Sequence, residues 1–160
     1  AAEMESSFEG VRVGDVMMTR FDAIPAQATA EWTLRYAMAA NLRELPVVSS
    51  GNFSGMLRIE DVAQAVAIGN TEANVGQIAR TQVSPVRENV ALLSAIEQLQ
   101  ASEFASLPVV NEFGHLEGLI TRDSIRAAQR FGPLLRSHTA SQLPEQPDEL
   151  RQHLVRMQVD

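Results

Sequence analysis

The sequence predicts a mixed α+β (α/β) fold made of two β-α-β-β-α repeats. Three observations predict it. First, anchor residues recur at one spacing: Val13-Gly14 returns as Val75-Gly76, Thr19 as Thr81, and "LPVV" at Leu45–Val48 as Leu107–Val110, each 62 positions on. A one-residue insertion in the turn after "LPVV" moves the next pair, Gly55 and Gly118, to 63. Second, each copy carries a helical apolar period followed by two short strand-like runs around a polar turn. Third, one copy alone is too short to bury its sheet, and two together supply the missing core.

The elements follow in order. Each copy opens on a short apolar segment, "VGDVMM" or "VGQIAR". A strand is expected over 21–24 and again over 83–86. A helix over about 29–41 places Ala30, Thr33, Leu34 and Ala37 at i, i+3, i+4 and i+7, and Leu92, Ala95, Ile96 and Leu99 repeat that face. Thr29 and Asn89 are the expected N-caps, because their side chains can accept from first-turn amides. "LPVV" then enters a hairpin through "SSGN" or "NEFG", and "FSGMLR" or "HLEGLIT" returns. A last helix is expected over 59–68 and 122–130. The organisation read from this is an N-terminal linker over 1–10, repeats over 11–70 and 71–131, and a Pro-containing tail over 132–160 with a short helix at 148–157.

Composition narrows the function classes. The chain of 160 residues is 45% hydrophobic and carries 20 acidic against 13 basic residues. That balance opposes general nucleic-acid binding, which needs a basic face to displace counterions, but leaves room for a locally basic pocket. No cysteine is present, so disulfides and thiolate metal sites are out. No apolar run approaches the roughly 20 residues that span a bilayer, so no direct membrane insertion is expected. The chain starts "AAEMESS" rather than with an initiator Met, which reads as a piece of a longer protein. No nucleophile–base pair, metal motif or phosphate loop occurs, so no catalytic residue is nominated.

The duplicated order of "VGDVM", the polar hairpin after "LPVV" and the G-x-x-[ST]-x-x-D pattern at the last strand-to-helix turn resembles the tandem CBS domain pair, named for cystathionine β-synthase. The resemblance spans roughly residues 11–130. It implies two repeats packed as a pseudo-two-fold pair with two clefts. It also implies an adenosine-containing ligand (AMP, ADP, ATP or S-adenosylmethionine), a non-catalytic regulatory role, and a homodimer meeting through helices. An attached or partner effector domain follows from the same resemblance. The parent expected for a module opening "VRVGDVMM" is a membrane-bound site-2-type metalloprotease or similar protein, with this part cytoplasmic.

The two copies of the turn disagree. "GMLRIED" keeps Asp61 at the position that would accept from ribose hydroxyls but has Arg58 where Ser or Thr is expected. "GLITRDS" keeps Thr121 but has Ser124 in place of the acid, with Asp123 one residue early and rotated about 100° around the helix. The resemblance builds each cleft from this turn and the first strand of the other repeat. The first cleft then gathers Asp61, Arg58 and Arg43 with a wall of Val83, Ser84, Pro85 and Val86. The second, weaker one has Thr121, Ser124, Asp22, Ala23 and Ile24. Guanidiniums fork onto phosphate, so the first is the better candidate.

Each of these residues also has a plain structural use. Glu60 and Asp61 favour a helix start with no ligand at all. Arg58 can pair with either, Arg43 with Glu44, and Thr121 can serve as an N-cap. Trp32 lies off the apolar face, as a packing residue or a dimer contact. Met17 and Met18 read as core filler. His115, His138 and His153 have no ligand spacing. The rival to a nucleotide sensor is a ligand-free dimerisation or interaction module with degenerate motifs.

Overall fold

A computed structural model describes residues 8–136. In chain order the elements are α1 (Val13–Val16), β1 (Ile24–Pro25), α2 (Ala30–Ala40), β2 (Glu44–Ser49), β3 (Asn52–Arg58), α3 (Ile59–Ala67), α4 (Val75–Ile78), β4 (Val86–Arg87), α5 (Leu92–Ala101), β5 (Ser106–Val110), β6 (Leu116–Thr121) and α6 (Arg122–Arg136). They form the expected mixed α+β fold, with two three-stranded sheets ordered β1-β2-β3 and β4-β5-β6.

The chain divides into two compact units that cut across the sequence repeats. Among the described residues, unit 1 takes 8–21, 85–111 and 117–136, and unit 2 takes 22–84 with 112–116. Each unit therefore joins the short leading helix of one copy to the body of the other. In unit 1 the amides of Val13 and Gly14 donate to the carbonyls of Val90 and Glu88 at 2.9 and 2.8 Å. In unit 2 Val75 and Gly76 donate to Ala28 and Ala26, both at 2.9 Å.

Unit 2 is built on a hairpin. Ser50 and Gly51 both have positive φ, 53° and 83°, the handedness that lets a two-residue turn match strand twist. β2 pairs antiparallel with β3 from Glu44↔Arg58 to Ser49↔Asn52, and the register slips between Val47 and Val48, leaving Ser54 as the extra residue of a bulge. β1 runs parallel to β2 through Ile24↔Val47 and Pro25↔Val48. Its core holds Ile24, Leu45, Val47, Leu57, Val62 and Val75. Each such large side chain contributes on the order of 1.5–3 kcal/mol when fully buried. Thr29 caps α2 by accepting from the Trp32 amide at 3.2 Å, and Asn41 ends the helix in the left-handed conformation. The Thr33 hydroxyl on this helix is buried without a hydrogen-bond partner, where the other copy has Ala95.

Unit 1 repeats the plan, with Val86, Leu92, Ile96, Leu107, Val109 and Ile120 among its core residues. β4 pairs parallel with β5 through Val86↔Val109.

Several boundaries differ from the sequence reading. The first strands are two-residue segments, Ile24–Pro25 and Val86–Arg87, because only those residues reach a ladder partner. Asn89 is not an N-cap: the 62-residue offset maps Thr29 onto Ala91, which is the N-cap of α5 and has no side chain to cap with. The last helix does not stop at 130 but runs to Arg136 with Pro133 inside it. Pro133 has no amide to donate to the Gln129 carbonyl and its ring crowds that oxygen, so the helix carries it at a local cost. Phe8, in the stretch read as a linker, is a core residue of unit 1. The helix expected at 148–157, and His138 and His153, lie outside the described residues. No helix among the described residues is long and apolar enough to cross a membrane.

Candidate functional site

The two strand-to-helix turns share one scaffold. In unit 2 the backbones of Met56 and Arg80 exchange hydrogen bonds of 3.0 and 2.8 Å, and in unit 1 Leu119 and Met18 do so at 3.0 and 2.8 Å. The preceding glycine makes this approach possible. A Cβ on Gly55 would lie 2.7 Å from the Arg80 carbonyl oxygen, and one on Gly118 would lie 2.8 Å from that of Met18. Both glycines are therefore required by close backbone approach.

On this scaffold the side chains diverge. In unit 2, Arg58 occupies the N-cap position of α3 but its side chain does not cap the helix. The Ile59 amide donates to the Arg43 carbonyl at 2.9 Å, which ties Arg43 to the turn through its backbone while its side chain is exposed. Arg58 Nη1 pairs with Glu60 Oε1 at 3.4 Å. Asp61 Oδ2 pairs with Arg80 Nε at 3.3 Å. The turn thus collects Arg43, Arg58, Asp61 and Arg80.

Unit 1 closes the same turn on itself. The Ser124 amide donates to Thr121 Oγ1 at 3.1 Å, the Thr121 amide donates to Ser124 Oγ at 3.3 Å, and the two hydroxyls are 3.1 Å apart. Thr121 Oγ1 also donates to the Met18 sulfur at 3.6 Å. Ser124 is buried, and Asp123 points to solvent beside Arg126 at 3.4 Å. The polar groups of this turn serve as a reciprocal cap.

Arg80 was missed in the sequence. Its signal was available: the 62-residue offset pairs it with Met18, so "VGQIAR" and "VGDVMM" differ at the position whose backbone bridges to the strand before the turn. The remaining expected residues are divided by the unit boundary. Val83 and Ser84 belong to unit 2 with Asp61, whereas Pro85 and Val86 belong to unit 1, and Val86 is a core residue there. Thr121 and Ser124 belong to unit 1, while Asp22, Ala23 and Ile24 belong to unit 2, where Ile24 is in the core.

Asp22 is engaged within unit 2: its carboxylate accepts a hydrogen bond from the Tyr36 hydroxyl. That bond, then burial, then the charge of Asp22 raise the Tyr36 pKa above its ordinary value of 10.0. Trp32, 54% exposed, stacks on the Tyr36 ring with centroids 5.4 Å apart. Met17 packs against the unit 1 core, whereas Met18 is partly exposed. A shallow hollow of about 380 Å³ lies at the other end of β3, lined by Ala26, Gln27, Ser49, Ser54, Asn74 and neighbours. None of the expected ligand residues lines it, so the charged turn and the hollow are separate features.

The family model for the CBS domain matches residues 13–68 and again 75–130. The chain belongs to the CBS domain family. Its tandem CBS pair is 29% identical over 122 residues to a homoserine O-acetyltransferase of Methanosphaerula palustris, covering 76% of this chain and 24% of that protein. An inosine-5'-monophosphate dehydrogenase of Thermoplasma acidophilum is 34% identical over 91 residues, 57% of this chain and 18% of that protein. The chain thus spans about a quarter or less of these two relatives. Among solved structures, CBSX2 in complex with AMP is similar with a TM-score of 0.67 and 25% identity, over 77% of this chain and 99% of that one. The CBS domain of a bacterial CNNM/CorC family Mg2+ transporter shares the fold with a TM-score of 0.68 at 22% identity, over 80% of each chain.

Proposed function

We propose that this CBS pair is a non-catalytic regulatory module that binds an adenosine-containing nucleotide at the Arg58–Asp61 turn and regulates an attached or partner protein. The observation that carries the reading is the contrast between the turns. At Thr121–Ser124 the hydroxyls cap each other. At Arg58–Asp61 the helix start has no side-chain cap and is flanked by guanidiniums instead. Asp61 is the acceptor for ribose hydroxyls, and Arg58, Arg80 and Arg43 supply the charge for phosphate. The AMP bound by CBSX2 supports the ligand class. The partial coverage of longer relatives supports an attached effector, a metalloprotease among the parents the N-terminal motif points to. The Thr121–Ser124 turn is the weaker site.

Calorimetric titration with AMP, ADP, ATP and S-adenosylmethionine tests the reading. Binding tighter than millimolar is expected for at least one of the four, and Asp61→Ala is expected to weaken it at least about tenfold, the loss of one charge-assisted contact. Absence of binding by all four would remove the sensor. It would leave the ligand-free dimerisation module, which the exposed Trp32 and the occupied Asp61 carboxylate favour.

A further inference from the structure

The hollow beside the β3 bulge has a chemistry of its own. It measures about 380 Å³, within the range of small-ligand pockets, and its lining belongs to unit 2 throughout. Gln27, Ser49, Ser54, Asn74, Gln77 and Thr81 supply its polar surface, three amides and three hydroxyls with no charged group among them. None of these six side chains hydrogen-bonds to another described residue. Asn74 makes the point most sharply, since it stands at the N-cap position of α4 and does not cap it. The floor is small: Ala26 lies against Gly76, where an added Cβ would come 2.9 Å from the Ala26 Cβ.

Unit 1 shows that the scaffold does not dictate this lining. By the repeat offset Ala26 corresponds to Glu88, Asn74 to Arg12, Gln77 to Asp15 and, past the insertion, Ser54 to Glu117. The backbone frame is shared. Gly14 and Gly76 donate to the Glu88 and Ala26 carbonyls, and a Cβ on Gly14 would come 3.1 Å from the Glu88 Cβ. One copy carries ionisable residues on this frame, and the other carries small and neutral ones.

We propose that this hollow is a binding site for an uncharged polyhydroxylic ligand, a sugar or polyol, separate from the Arg58–Asp61 turn and independent of nucleotide binding there. Amides and hydroxyls each donate and accept, so their best complement is a molecule that does both through several hydroxyls. An ion placed there would shed hydration and meet no opposite charge. A nucleobase would meet no aromatic face among the lining residues. The floor of Ala26 and Gly76 lets the ligand come close to the backbone.

Nuclear magnetic resonance of the nitrogen-labelled full chain tests this, because Gln27, Asn74 and Gln77 carry side-chain amide signals in the site. Glucose, ribose and myo-inositol are titrated in turn, with inorganic phosphate as the charged comparison. At least one of the three is expected to shift those signals saturably with a midpoint of about 1–10 mM, the strength of a few neutral hydrogen bonds, while phosphate leaves them in place. Ala26→Glu copies the residue that unit 1 carries on the same frame and is expected to weaken binding at least about tenfold. Asn74→Ala removes a contact without removing a cap and is expected to weaken binding at least about threefold. No saturable shift with any of the three, or binding unchanged in both folded variants, overturns the proposal. AMP titrated into the same samples reports the nucleotide reading separately, so either can fail alone.

Discussion

The Arg58–Asp61 and Thr121–Ser124 turns are the same backbone carrying opposite chemistry. Both follow a glycine that admits a neighbouring carbonyl, and both are braced by a two-bond bridge to the residue four places after the Val-Gly pair. One then closes with mutual hydroxyl caps, and the other stays lined with ions. The difference teaches that the two copies share what holds the backbone together and differ in the side chains the turn presents. The position facing each turn changed with it, to Arg80 in one unit and Met18 in the other.

The shared scaffold gives the largest effects. Gly55→Ala and Gly118→Ala each drive a Cβ into a backbone carbonyl within 2.8 Å, so both are expected to destabilise by about 2–3 kcal/mol, as overpacking a tight contact does. Urea unfolding checks this, and a cost in only one of the two would break the claim that the scaffold is common. Capping comes next. Thr121→Ala removes a reciprocal cap and is expected to cost about 1 kcal/mol, whereas Arg58→Ala removes none and is expected to stay within about 0.5 kcal/mol. Equal costs would mean that both turns are structural.

The smallest effect is spectroscopic and concerns Asp22, expected from the sequence beside Thr121 and held by Tyr36. Folding favours the neutral phenol, so the contribution is fully present below pH 10.0 and is lost as pH rises through the raised folded-state value. The chain has one tyrosine, so absorbance of the phenolate reports it without ambiguity. A midpoint above 10.0 is expected in the native chain, and one at or below that value would mean that Asp22 is not held by Tyr36.

The sequence was most informative where backbone demands recur. The 62-residue anchors, the α2 and α5 faces, the polar hairpin and the recurrence of Gly55 as Gly118 were all legible, because each expresses a geometric requirement at a fixed position. The two-residue β1 and β4 were misplaced because a strand is defined by its partner, and the partner's register is not local information. Asn89 drew attention by residue type, yet the repeat offset already pointed to Ala91. The length of α6 was not legible, because Pro133 marks a helix end by residue type and yet lies inside it. Arg80 stands out by the repeat offset, but its partner does not. It meets Asp61 across 19 residues, and only the compact unit, which unites α4 with β3, brings them together.

The most direct test of one functional turn and one structural turn is the stoichiometry of AMP binding in the wild type, Asp61→Ala and Ser124→Ala chains by calorimetry. One AMP per chain is expected, weakened at least about tenfold by Asp61→Ala and changed by about twofold or less by Ser124→Ala. Two equal sites per chain, or binding that survives Asp61→Ala and is lost in Ser124→Ala, would contradict the account.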